Sequence, residues 1–212
     1  MIDRLVREGT AVAASDGTVH ELFPVAIDPD EGEALRNWVI REGAIRTIEV
    51  GLGYGISALY MSEGLLTNGA NDARHVVLDP NQATRFKNCG LQFLVEVGVS
   101  QLIEFLPTAS EYALPRFLAE GRSFNLAFVD GNHRFDGVFL DLIYLGWLVR
   151  PGGIIVVDDY QLRSVARGVA FCTNNLAWTV EDVSAHDSLH RWAVLRTARL
   201  PVNRAFDHYV DF

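Results

Sequence analysis

The stretch Arg46-Thr-Ile-Glu-Val-Gly-Leu-Gly-Tyr-Gly-Ile-Ser57 carries an apolar strand straight into glycines at positions 51, 53 and 55. Glycine at alternate positions strips side chains from a strand-to-helix turn. The backbone can then approach a ligand, and the amides at the start of the following helix are free to bind it. Gly51, Gly53 and Gly55 are therefore candidate cofactor-binding residues. A dinucleotide fingerprint needs glycine at its first, third and sixth positions, and the sixth counted from Gly51 is Ile56. That departure points away from a nicotinamide dinucleotide and toward S-adenosylmethionine (SAM).

Outward from this turn, apolar runs of strand length alternate with amphipathic segments of helix length. Asp28-Pro-Asp-Glu31 reads as a helix start, with Asp28 as N-cap, Pro29 at the first helical position and Glu31 completing a capping box. The helix is expected to reach about Glu42. Strands are expected at Thr47 to Val50, Val76 to Asp79, Leu102 to Leu106, Asn125 to Asp130 and Ile154 to Asp158. Each is nearly all apolar, as strands covered on both faces must be. A helix through Val165 to Phe171 then leads to two weaker strands, Trp178 to Val180 and Arg191 to Arg196, which would close as a hairpin. The pattern is that of an α/β protein with a mostly parallel sheet, helices on both faces and an antiparallel C-terminal strand.

With 212 residues, 49% of them hydrophobic, the chain is long enough for one well-buried core and short for two ordinary domains, so a single domain is expected. A formal net charge of -9 argues against a nucleic-acid partner or an anionic membrane surface, both of which call for clustered Lys and Arg. A small-molecule substrate fits that charge better. Cys89 and Cys172 have neither disulfide-framework nor zinc-site spacing and read as inert, partly buried thiols. No stretch has the form of a signal peptide or a membrane span, which makes the expected location cytoplasmic.

Three strands end in carboxylates: Asp79, Asp130 and the pair Asp158-Asp159. Ligands of open α/β sheets sit at the carboxyl ends of the strands, so these acids point at the site. Asp79 ends the strand after the glycine turn, where a carboxylate can take both ribose hydroxyls of an adenosine cofactor. The plainer alternative is a cap on the turn before Pro80. Asp130, in Val129-Asp-Gly-Asn-His133, and Asp158-Asp159 would repel each other unless a cation stood between them. Hard oxygen donors suit Mg²⁺ or a related divalent ion better than zinc. Such an ion could hold two substrate oxygens and lower the pKa of a bound hydroxyl. The competing assignment has Asp158 and Asp159 capping the next helix and Asp130 holding a loop.

The ordered set of motifs resembles the class I SAM-dependent methyltransferases. Within them it is similar to the metal-dependent small-molecule O-methyltransferases, both the catechol and caffeoyl-CoA type and the bacterial antibiotic-sugar branch. The resemblance covers roughly residues 28–160. It implies a Rossmann-like methyltransferase core there, with residues 1–27 as a lid or cap and 161–212 as a C-terminal helix and hairpin. By this similarity Glu49 and Gly51 line the methionine end of the cofactor, and Ser57 binds its carboxylate. Pro107-Thr-Ala-Ser-Glu111 resembles the stretch that meets the adenine, which nominates Ser110 and Glu111. Asp130 belongs to the first metal-ligand segment and also lies beside the cofactor, while Asp158 and Asp159 belong to the second. The expected reaction is methyl transfer to a hydroxyl of a small molecule, and a homodimer is the family expectation.

Two departures touch the chemistry. Catechol-type enzymes carry lysine where this chain has His133, and asparagine where it has Asp159. An imidazole titrates near neutral pH, so His133 fits a general base beside Asp130, as in the antibiotic-sugar branch; its alternative is a histidine bonded only to its own loop. His20, His75, His186, His190 and His208 receive no role. Trp178, Trp192 and Tyr209 are assigned to the core rather than to an acceptor pocket. The aromatic, acidic segment Phe206 to Phe212 is expected to dock on a neighbouring subunit or to close over the site. Two other readings stay open: a non-catalytic SAM-binding protein, and a nicotinamide-dependent oxidoreductase, which leaves Asp130, Asp158 and Asp159 without purpose.

Overall fold

The structure, a computed structural model, describes residues 1–185, 190–200 and 203–212. Two compact units make up the chain, Met1–Ala109 and Ser110–Phe212. The first unit opens with helix α1 (Ile2–Glu8) and a short antiparallel pair, β1 (Thr10–Val12) and β2 (Val19–Glu21). Asp28 then starts α2 (Pro29–Arg41) as its sequence dictates, accepting the Glu31 amide at 2.9 Å with Pro29 in the first turn.

Strand β3 (Arg46–Val50) pairs in parallel with β4 (Arg74–Leu78), and β4 pairs in parallel with β5 (Ile103–Leu106). Between β3 and β4 runs α3 (Ile56–Asn68), apolar on nearly every side and mostly buried. A shorter helix, α4 (Cys89–Glu96), precedes β5. From Thr47 to Val50 every residue is buried, Ile48 and Val50 among apolar neighbours and Thr47 and Glu49 with internal polar partners.

The second unit contains α5 (Ser110–Ala119), β6 (Phe124–Val129), α6 (Phe135–Leu148), β7 (Val149–Val157) and α7 (Arg163–Leu176). Strands β8 (Thr179–Val183) and β9 (Ala193–Arg196) complete it. β6 and β7 are parallel, whereas β9 runs antiparallel to both β7 and β8. The C-terminal hairpin expected from sequence is therefore present as an antiparallel edge. β7 starts five residues earlier than the apolar run Ile154 to Asp158 suggests, because Val149 already pairs with Phe124 and an irregularity carries the register on to Leu126–Ile154. Trp178 and Trp192 are buried, in keeping with their assignment to the core, while Tyr209 is exposed. Among the described residues, no helix is long and apolar enough to cross a membrane.

Candidate active site

In the first unit, β3 delivers the chain into a turn where Gly51, Gly53 and Gly55 take φ values of 95°, 52° and 80°. Side chains resist these values, so the three glycines are required by backbone geometry. Gly55 is also the N-cap of α3. The turn is backed by α4 at backbone distance: a Cβ on Gly55 would lie 3.0 Å from Gly90 Cα, and one on Gly90 would lie 2.9 Å from the Gly53 carbonyl oxygen. Gly90 carries no sequence signal of its own. Among the described residues, a Cβ on Gly53 would meet only Val25 within 4 Å.

Asp79 directly follows β4 and is 3% exposed. Its Oδ2 accepts the Leu52 and Gly53 amides at 3.3 and 3.1 Å and Gln82 Nε2 at 2.8 Å, while Oδ1 accepts the Asn81 amide at 2.7 Å. The carboxylate thus fixes the turn and caps its own loop at once. Gln82 Nε2 donates also to the Gly53 carbonyl at 2.6 Å, and Gln82 Oε1 is buried with no hydrogen-bond partner among the described residues. The N-terminal segment lies along the same turn, with Tyr54 Oη and His20 Nδ1 at 3.4 Å and Ala14 donating its amide to Gln92 Oε1 at 2.9 Å.

Beneath the turn a buried polar chain links two strands and a helix. Thr47 Oγ1 meets His75 Nδ1 at 2.9 Å, His75 Nε2 meets Glu49 Oε2 at 3.0 Å, and Ser57 Oγ donates to Glu49 Oε1. All four residues are at most 4% exposed, so their hydrogen bonds must be made internally, as they are. The Glu49 and Ser57 side chains engage each other, which leaves backbone groups as what this end of the turn presents. His75, given no role by the sequence, orients Glu49 from below.

The second unit gathers the other candidates. Asp130 follows β6 and Asp158 follows β7, while Asp159 sits in the left-handed region at φ 55°. His133 stands between two of them, with Nδ1 2.9 Å from Asp159 Oδ2 and Nε2 3.4 Å from Asp130 Oδ1. Those side chains remain 32, 17 and 18% exposed for His133, Asp159 and Asp130, enough for a small molecule to reach them. Asp130, then Asp159, hold the imidazole pKa up to about 10 against the opposing effect of burial. The Nε2 contact is long and not aligned as a hydrogen bond, so the Asp159 bond is the firmer of the two. His133 in turn holds the Asp159 carboxyl below its ordinary value. Gln161 Nε2 donates to Asp159 Oδ1 at 2.6 Å, and Ser164 Oγ donates to the His133 carbonyl at 2.7 Å.

Asp158 accepts the Asp159 amide at Oδ1, as a cap would. The carboxylates do not converge on one point, and among the described residues no three such donors are grouped to hold a metal ion. The donor set therefore does not fit the expected Mg²⁺ site. The glycine turn does fit a cofactor, since the space beside Gly53 is nearly free of protein and Gln82 offers a buried, unused acceptor.

Ser110 and Glu111 open α5. The Ser110 hydroxyl bonds Asp141 of α6, a residue that apolar periodicity hides inside a helix. Asp141 is 1% exposed with Oδ2 unpartnered. Burial first, and then the Glu111 charge, push its carboxyl up to about 7 although the Ser110 bond pulls the other way. Residues 209–212 dock within this same unit. Asn175 donates to the Val210 carbonyl and accepts its amide at 2.9 and 2.8 Å, and Phe212 packs on Phe135 and Phe171. His186 lies outside the described residues.

Residues 48–160, from β3 to just past β7, match the family model described as a methyltransferase domain. Tricin synthase 2 of Oryza sativa subsp. japonica is 30% identical over 135 residues, 62% of this chain and 43% of that protein. Tricin synthase 1 of the same organism is 32% identical over 136 residues, 61% of this chain and 51% of that protein. The chain thus spans about half the length of the curated relatives it matches. Among solved structures, the O-methyltransferase TomG from Streptomyces achromogenes, in complex with SAM, has a TM-score of 0.69 at 21% identity, covering 92% of this chain and 90% of that one. The O-methyltransferase from Bacillus cereus in complex with SAH reaches the same TM-score and coverage at 16% identity. These two share the mostly parallel α/β fold and its antiparallel edge. With more than half of its length inside the family model, and the glycine turn and strand-end acids within the matched segment, the chain belongs to the methyltransferase-domain family.

Proposed function

We propose that this protein transfers the methyl group of SAM to a hydroxyl oxygen of a small molecule. The observation that carries the reading is the glycine turn held open by Asp79, inside the segment that matches the methyltransferase family. Gly51, Gly53 and Gly55 would present backbone to the cofactor, with Glu49 and Ser57 shaping the methionine end. Asp79 would take the ribose from its place beside the turn, and Ser110 and Glu111 would meet the adenine. When bound, SAM supplies a methyl carbon activated by a positively charged sulfur.

The acceptor oxygen would attack that carbon, an O–C bond forming as the S–C bond breaks, and the chain's own part is to hold the oxygen there and take up its proton. The hydroxyl proton must leave to a nearby base. Asp130 would take that proton, while His133, held protonated by the neighbouring carboxylates, would add positive charge nearby. Catalysis then rests on positioning plus this acid–base pair. Oxygen as the acceptor atom is supported by the names of the relatives, and the net charge of -9 supports a small, uncharged or cationic acceptor over a polyanion.

The test combines calorimetry with turnover. SAM should bind the purified protein saturably, and methyl-labelled SAM incubated with phenols, catechols and sugars should yield a labelled methyl ether. Failure to bind SAM would sink the reading. Binding with no methylated product across the panel would favour a SAM-binding protein without turnover.

A further inference from the structure

We infer that His133 serves as the resident cation of the Asp130–Asp158–Asp159 cluster, so that these carboxylates do not recruit a divalent metal ion. Two acid-bearing strand ends in one unit repel unless a positive charge stands between them, and the structure supplies that charge from the chain itself. The His133 ring carries one carboxylate on each side, Asp159 against Nδ1 and Asp130 against Nε2. A carboxylate hydrogen-bonded at Nδ1 and a second carboxylate charge 3.4 Å from Nε2 together favour the doubly protonated imidazolium form. Magnesium, by contrast, demands oxygens converging at about 2.0–2.1 Å in near-octahedral order. Oxygens held on opposite sides of an imidazole ring cannot converge in that way.

Two further carboxylate atoms are committed elsewhere. Asp159 Oδ1 accepts from Gln161 Nε2, and Asp158 Oδ1 accepts the Asp159 amide. The loop that carries His133 is itself anchored, since its carbonyl accepts the Ser164 hydroxyl on α7 and Asn132 Oδ1 accepts the Arg134 amide. The ring is thus held in place by its backbone as well as by the acids it separates. Lys at this position would put a longer, mobile ammonium there, which can swing clear of an ion. A histidine tied at the backbone and at Nδ1 has no such freedom.

The test needs neither acceptor nor SAM, so its outcome is separable from that of the methyl-transfer reading. Mn²⁺ is titrated into the full chain and followed by electron paramagnetic resonance, using wild type, His133→Ala, and His133→Ala with Asp130→Asn. Wild type should take up no Mn²⁺ saturably below about 1 mM, and His133→Ala should bind one ion at least ~10-fold more tightly, a gain that Asp130→Asn removes. Saturable micromolar uptake by wild type, weakened by Asp130→Asn alone, would overturn the inference. It would equally be overturned if folded His133→Ala, checked by circular dichroism, bound no more Mn²⁺ than wild type. Where turnover is measurable, EDTA dialysis should leave the wild-type rate within about twofold, and loss of activity restored by Mg²⁺ contradicts the assignment.

Discussion

Gly55 is constrained twice over, because its φ of 80° and its contact with Gly90 act together. Gly55→Ala places a Cβ in the left-handed region and against backbone, and should lower stability by about 1–3 kcal/mol and weaken SAM binding. Thermal melts and calorimetry check both effects. Gly90→Ala should weaken SAM binding too, because its added methyl group pushes on the Gly53 carbonyl.

Two side chains each make stability fall as pH rises, in different windows. The Asp141 carboxyl is raised from 3.8 to about 7, so between those values the folded chain holds a proton that the unfolded chain has lost. Stability therefore falls as pH rises through that window, by about 1.4 kcal/mol for each pH unit and a few kcal/mol across it. Asp141→Asn should be more stable than wild type at pH 8 and should lose that advantage by pH 5, as urea denaturation at the two values will show. His133, lifted to about 10, contributes stability that is present below about pH 6.5 and lost as pH climbs toward 10. Its ring protons in the nuclear magnetic resonance spectrum should not titrate between pH 6 and 8.5; a midpoint near 6.5 would contradict the ion pair.

Legibility at this scale followed backbone necessity. The glycines and strand-end acids announced themselves because each occupies a position fixed by the turn or by the end of a strand. His75, Gln82, Gly90 and Asp141 did not, because each acts through a partner distant in sequence: Glu49, Gly53, Gly55 and Ser110 respectively. Nothing in the linear order pairs them.

Among the elements, the predominantly apolar strands were the easiest to read, and the short exposed ones the hardest. β3, β4, β5 and β6 lie within two residues of their expected bounds. β1 and β2 have three residues each with mixed exposure, so they leave no alternation to detect. β8 is exposed along its whole length and owes its place to pairing with buried β9. The last segment, whose docking site the sequence left open, is held by Asn175 of α7, whose side chain both donates to it and accepts from it. Asn175→Ala removes both bonds at a buried position, so hydrogen exchange across residues 207–212 should quicken about tenfold or more while the rest of the second unit stays protected. Unchanged exchange there would mean that the Phe212 ring contacts and the Asn174 bond to the Asp211 carbonyl suffice to hold the segment.

For the whole molecule, what decided the family was the order of the motifs rather than any one of them, since a glycine turn alone serves many cofactors. The division into two compact units had no counterpart in composition, because both halves carry similar apolar strands and neither is set off by a linker. A cofactor bound only by the folded chain adds about 2.7 kcal/mol of stability at a hundredfold excess over its dissociation constant. SAM at that level should raise the melting temperature by several degrees, whereas NADH should leave it unmoved. A shift with NADH and none with SAM would reverse the choice made at Ile56.

The backbone contact between Gly55 and Gly90 also limits how this chain can change. Two positions remote in sequence share one small volume, so a methyl group at either is paid for at the other, and no compensating substitution smaller than glycine exists. A mutagenesis library that varies the start of α4 should therefore hold position 90 fixed together with the turn, although residue 90 belongs to neither β3 nor the turn itself.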